Sequence, residues 1–178
     1  SADDGKAFDA AKKRLIAAYQ KNNALFSLEG LANVIANTSD IYEANGTVYI
    51  VSVYMNGRTF TEHQGDTLHD CVSLLIGAAK ALRHIHNAGY LYLDLKPDNI
   101  LTLEGSLDLV QLFDFDSIIS TEEFEKALQN NNPSELRISY TKGYASLEQQ
   151  TGKLRQLGKH SDIYSLGAVL FYALWHKT

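Results

Sequence analysis

The 178-residue sequence predicts an α+β fold, and three observations carry that prediction. Residues 6–21 and 68–86 repeat apolar side chains at the helical period, residues 47–54 are dense in β-branched and aromatic types, and residues 161–175 are apolar at almost every position. Composition agrees, because 45% apolar and 21% charged residues suit a chain that buries a core. A chain of this length makes one domain, or two small lobes that share a core.

The first helix places Phe8, Ala11, Leu15, Ile16 and Tyr19 on one face and Lys12, Lys13 and Gln20 on the other. Residues 33–54 then read as two antiparallel strands, with Asn45-Gly46 as the turn. Asp66 is placed to cap a second helix in which Leu68, Val72, Leu75, Ala79, Leu82 and His86 share a face, and Gly89 is placed to end it. Apolar runs at 100–103 and 107–113, separated by Glu104-Gly-Ser106, predict a second hairpin. Residues 120–140 are polar, with Asn130-Asn-Asn-Pro133 as a breaker, and predict a long loop with one helical turn at 122–128. Ser161 caps the last, apolar helix, whose Tyr164, Phe171, Tyr172 and Trp175 are expected in the core. The chain stops just beyond that helix, so a fragment of a larger domain is expected.

A net charge of −5, with Lys12-Lys13-Arg14 the one basic cluster, argues against a nucleic-acid partner. Cys71 is the single cysteine, so it forms no internal disulfide and reads as a small core residue in a reducing, cytoplasmic setting. No apolar run is long enough to span a membrane, and no membrane contact is evident. His86 lies on an apolar face and reads as a satisfied core histidine, whereas His63, His69, His84, His160 and His176 lack metal-ligand spacing and are expected at the surface.

Chemistry concentrates in residues 91–101, where Asp94, Lys96, Asp98 and Asn99 stand between apolar ends with Pro97 among them. The bland reading is a polar turn shaped by the proline. The stretch follows a helix and precedes a hairpin that runs into Leu112-Phe-Asp-Phe-Asp-Ser117, so two acidic loops can bring Asp94, Asn99 and Asp114 together. Magnesium takes such oxygen ligands, one or two carboxylates plus substrate phosphates. A carboxylate free of the metal can orient a hydroxyl and take its proton, and a nearby lysine can meet charge developing on a transferred phosphoryl group. Asp98 reads as a solvated turn residue and Asp116 as a cap or supporting acid.

Asp94-Leu-Lys-Pro-Asp-Asn99 resembles the catalytic loop of protein kinases, and Asp114-Phe-Asp116 resembles their metal-binding DFG element. Thr141-Lys-Gly-Tyr-Ala-Ser-Leu-Glu148 is similar to the stretch that closes the activation segment in APE, and Ser161-Asp-Ile-Tyr-Ser-Leu-Gly167 is similar to the start of the buried helix F. The resemblance implies a partial protein kinase-like fold: a remnant of the β-rich lobe in residues 1–56, then most of the core of the helical lobe in 57–178. It implies ATP and magnesium as cofactors and a protein substrate phosphorylated on Ser or Thr. By position, Asp94 would be the catalytic base, Lys96 the phosphate contact, Thr141 a brace, and Asn99 and Asp114 the magnesium ligands. Val53, Met55 and Leu101 would meet the nucleotide, with Ser52 as gatekeeper, while Tyr92 and Phe115 would stack and Asp162 would hold the catalytic loop from below.

The sequence also departs from the family. None of its twelve glycines forms G-x-G-x-x-G, no V-A-I-K-like strand precedes the first helix, and residues 6–25 contain no glutamate, so the family's lysine–glutamate pair lacks both members. The segment alone is therefore expected to have little or no activity. Tyr92 and Leu93 replace the usual histidine and arginine, so any activity is expected not to require phosphorylation at Thr121 or Thr141. Two alternatives stay open: a pseudokinase that binds or scaffolds, favoured by the missing glutamate, and a small-molecule kinase of the aminoglycoside type, favoured by the DFD-like element.

Overall fold

The computed structural model describes residues 2–175, apart from 46, 64–66, 104–105, 108, 130–135 and 137. Helix α1 (Ala2–Phe26) is longer than its apolar repeat and packs on the hairpin of β1 (Thr38–Ala44) and β2 (Thr47–Ser52). Asn45 makes the hairpin turn with φ 51°, a conformation that asparagine tolerates. The expected apolar face of α1 is mostly bare: Phe8 is 40% and Leu15 36% exposed, while Asn22 and Leu25 near its end are buried. Only that end meets the core, so the period marked a helix without marking its contact.

Helix α2 (Leu68–Asn87) is the spine of the molecule. Thr67 caps it in a reciprocal box, accepting from the Asp70 N–H and donating its own N–H to the Asp70 carboxylate. The expected cap, Asp66, lies outside the described residues. The buried stripe is Cys71, Leu74, Leu75, Ala78, Ala81, Leu82, Ile85 and His86, rotated from expectation, and Leu68 and Val72 are exposed. Gly89, with φ 82°, turns the chain out of the helix as predicted.

The second hairpin is β5 (Ile100–Leu103) with β6 (Val110–Leu112), and a short strand β3 (Gly57–Thr59) joins it in the order β3-β5-β6. Gly57 permits this pairing, since a Cβ there would lie 2.1 Å from the Thr102 carbonyl oxygen. A further ribbon pairs β4 (Tyr90–Leu91) with β7 (Ile119–Ser120). Residues 120–140 hold a longer helix than expected, α3 (Thr121–Gln129), anchored by buried Phe124. A single turn, α4 (Leu147–Gln150), precedes the last helix, α5 (Lys159–Trp175).

Two further expectations about burial fail. His63 is 3% exposed, because the turn at Phe60–His63 tucks it under β5, where Nε2 lies 2.6 Å from Thr102 Oγ1. Helix α5 buries only one side: Val169 and Ala173 are covered, but Tyr164, Phe171 and Trp175 are more than half exposed. Its principal neighbour among the described residues is α2, and one neighbour can cover only one face. No helix among the described residues is long and apolar enough to cross a membrane.

Candidate active site

Residues 92–99 leave β4 and pass beneath the first turn of α5. Tyr92, Leu93 and Leu95 are fully buried anchors, while the side chains of Asp94 and Lys96 between and after them stay 11% and 20% exposed. Asp162, fully buried at the start of α5, holds this turn. Its carboxylate accepts from the N–H groups of Tyr92 (3.0 Å) and Leu93 (2.7 Å) and lies 2.7 Å from His86 Nε2. Three partners compensate the burial of a charge that would otherwise be costly. The same contacts satisfy His86, as its place on the apolar face led us to expect.

The loop is also tied to residues 113–116. The Tyr92 hydroxyl donates to the Phe113 carbonyl, and its ring meets Phe115 edge-on with centroids 5.6 Å apart. Burial first, then the charges of Asp114, Asp94 and Asp162, push the Tyr92 phenol well above its ordinary range, so it stays a donor.

Asp94 Oδ2 lies 3.3 Å from Lys96 Nζ, which lies 3.3 Å from Thr141 Oγ1. Asn99, 3% exposed, donates Nδ2 to the Asp94 carbonyl oxygen at 3.0 Å. The other Asp94 oxygen, Oδ1, is buried and has no hydrogen-bond partner among the described residues. Leaving a buried acceptor unpaired costs about 1–3 kcal/mol, and such groups persist where a ligand is to supply the partner.

Asp114 is exposed, with φ 65°, and lines a cavity of about 300 Å³ with Ala18, Asn22, Ser52, Phe113 and Asp116. Burial and then the Asp114 charge raise the Asp116 carboxyl, opposed by Lys21. Ser52 therefore shares a cavity with Asp114, whereas Val53, Met55 and Leu101 do not line it. Val53 is 51% exposed and gives its N–H to the Asn37 carbonyl at 3.1 Å. Met55 lies half-buried in the irregular segment after β2, and Leu101 is half-buried in β5.

The donor set suits a hard cation. Asn99 commits Nδ2 to the backbone, which leaves its carbonyl Oδ1 as a candidate ligand atom, and Asp114 would supply a carboxylate. Among the described residues no three His, Cys, Asp or Glu side chains form a metal cage, so a magnesium here would complete its shell with phosphate oxygens and water.

Two contributors escape sequence reasoning. Lys21 of α1 donates to the Ile118 carbonyl at 2.6 Å, on the helix that lacks the expected glutamate. Gln149, 4% exposed, donates to the Leu93 carbonyl at 2.7 Å, directly before Asp94. Neither pairing is local, so spacing along the chain carries no trace of it.

Comparison with known proteins points one way. The family model described as protein kinase domain matches residues 9–178. Serine/threonine-protein kinase PknA of Nostoc is 29% identical over 166 residues, which cover 89% of this chain and 28% of that protein. Probable serine/threonine-protein kinase PknB of Bifidobacterium longum is 27% identical over 141 residues, 77% of this chain and 19% of the relative. Ribosomal protein S6 kinase 2 beta of Xenopus laevis is 26% identical over 146 residues, 79% and 22% respectively. The chain thus spans between 19% and 28% of the length of these relatives.

Proposed function

Since this chain belongs to the protein kinase domain family, we propose that the whole protein transfers the γ-phosphoryl group of ATP, with magnesium, to serine or threonine hydroxyls of a protein substrate. The observation that carries the reading is Asp94, with one oxygen beside Lys96 and the other buried with no hydrogen-bond partner among the described residues.

In this reading Asp94 Oδ1 accepts the hydrogen bond of the substrate hydroxyl and takes its proton as the bond to phosphorus forms. Lys96 is placed to meet the equatorial oxygens of the transferred group, and Thr141 holds the lysine at that point. Asn99 and Asp114 would hold magnesium, which when bound neutralises charge on the phosphate oxygens. Ser52 lines the Asp114 cavity and would be the gatekeeper, while Val53, Met55 and Leu101, outside that cavity, would meet the nucleotide between a small lobe of residues 1–56 and a helical lobe of 57–178. Named relatives that are serine/threonine kinases support the Ser/Thr class over a small-molecule acceptor.

One observation favours a scaffold reading: the α1 residues lining the Asp114 cavity are Ala18, Tyr19 and Asn22, with no acid among them. The discriminating experiment is magnesium-dependent ATP binding and labelled phosphoryl transfer by the full-length protein. Transfer to Ser or Thr supports the kinase reading; nucleotide binding without transfer, or no binding, supports the scaffold.

A further inference from the structure

We infer that Gln149 is a positioning residue for Asp94: its side-chain amide fixes the peptide that leads into Asp94 and couples it to the turn closing the activation segment. The inference rests on the reading of Asp94 as the base.

Leu93 is a β-carbon residue held at φ 65°, a left-handed conformation that persists only where neighbours over-determine it. Both of its peptide groups are clamped by buried side chains from separate elements. Its N–H goes to Asp162 Oδ1 of α5 at 2.7 Å, and its C=O accepts from Gln149 Nε2 of α4 at 2.7 Å. The second bond matters more for chemistry, because the Leu93 carbonyl shares a rigid plane with the Asp94 N–H. Whatever fixes that carbonyl sets the direction from which the Asp94 side chain leaves the backbone.

The amide of Gln149 has only one workable orientation. Its Oε1 accepts from the Ser146 N–H (2.9 Å) and the Ser146 hydroxyl (3.1 Å), closing the cap of α4. A flipped amide would set NH₂ against the Ser146 N–H and oxygen against the Leu93 carbonyl oxygen. Ser146 follows a turn in which the N–H groups of Tyr144 and Ala145 both return to the Thr141 carbonyl at 3.1 Å. Thr141 in turn lies 3.3 Å from Lys96 Nζ, which reaches Asp94. Hydrogen bonds and chain connectivity together close a ring: Asp94, Lys96, Thr141, Ala145 and its neighbour Ser146, Gln149, Leu93 and back to Asp94. Asp94 is gripped at its carboxylate by one arm and at its backbone by the other.

Gln149→Glu separates the two tasks of this side chain. A glutamate at the third helical position still caps Ser146, but above its pKa it faces the Leu93 carbonyl with an acceptor instead of a donor. Gln149→Met removes both tasks, and Leu147→Met, on the exposed side of the same turn, is the control.

The test measures hydrogen exchange at residues 92–95 and steady-state transfer in the full-length protein. Loss of a buried carbonyl's partner is expected to speed exchange by about tenfold or more in Gln149→Glu and Gln149→Met, and to lower kcat by a similar factor with the KM for ATP within about twofold. In Gln149→Glu the protection is expected to return at acid pH, where the protonated carboxyl again donates to the Leu93 carbonyl; a general packing defect would not show this. Leu147→Met is expected to change neither. If the wild-type protein transfers no phosphoryl group, the functional reading fails and exchange alone decides the clamp. Wild-type exchange at 92–95 in both Gln149 variants, or wild-type kcat in an active protein, overturns the inference.

Discussion

Replacing Asp162 tests how the catalytic loop is held. The fully buried carboxylate receives two backbone N–H groups and faces His86 Nε2. In Asp162→Asn one oxygen becomes NH₂. Placed at the Oδ2 position it can donate to His86 in a changed tautomer, so the Leu93 N–H keeps its acceptor and only the Tyr92 N–H is orphaned. One orphaned buried donor costs about 1–3 kcal/mol. Asp162→Ala orphans both N–H groups and the imidazole, and breaking such a buried pair from one side costs about 3–5 kcal/mol. The expected order is therefore wild type, Asn, then Ala, read as falling midpoints in urea unfolding at constant m-value. Phosphoryl transfer should fall in the same order, because Leu93 and Asp94 lose their seat. Equal midpoints for the two variants, or losses below about 0.5 kcal/mol, the range of ordinary surface changes, would refute the reasoning.

Two further outcomes follow from the same contacts. Although burial raises the Glu148 carboxyl, hydrogen bonds from the Ser161 hydroxyl at 2.7 Å, its own backbone N–H and the Ser146 hydroxyl, and last the charge of His160, together outweigh it, so the folded pKa is lowered. Its contribution is then present above the unfolded value of about 4.3 and lost as pH falls through the folded one; the stability gap between wild type and Glu148→Gln should close in acid unfolding scans. Tyr92→Phe keeps the contact with Phe115 but removes the donor to the Phe113 carbonyl, and should cost about 1–2 kcal/mol in urea unfolding.

What could be read from the sequence was whatever is local. Periodicity located α1, α2 and α5, turn chemistry located the β1–β2 hairpin, and six residues from Asp94 to Asn99 located the loop. The α+β class and the protein kinase resemblance were legible for the same reason, since the matched motifs are short and ordered. Strands of two or three residues, such as β3, β4 and β7, are too short to show alternation and exist through their partners. Burial was misjudged where it depends on those partners: His63 meets Thr102, 39 positions away, and α5 keeps Trp175 67% exposed despite its composition. Within the site, hydrogen bonds join Asp94 to Lys96 and Asn99, and Lys96 to Thr141, a residue that only the family resemblance had singled out. Gln149 and Lys21 could not be found, because a glutamine or lysine on a helix ordinarily faces solvent.

The most direct test of the central claim is single-turnover transfer of labelled γ-phosphate from magnesium-ATP by the full-length protein and its Asp94→Asn variant. Loss of the base while the nucleotide contacts stay intact should slow transfer by about 10²–10⁴-fold and leave ATP affinity within about twofold of wild type. Transfer at the wild-type rate in Asp94→Asn would contradict the role assigned to Asp94 Oδ1.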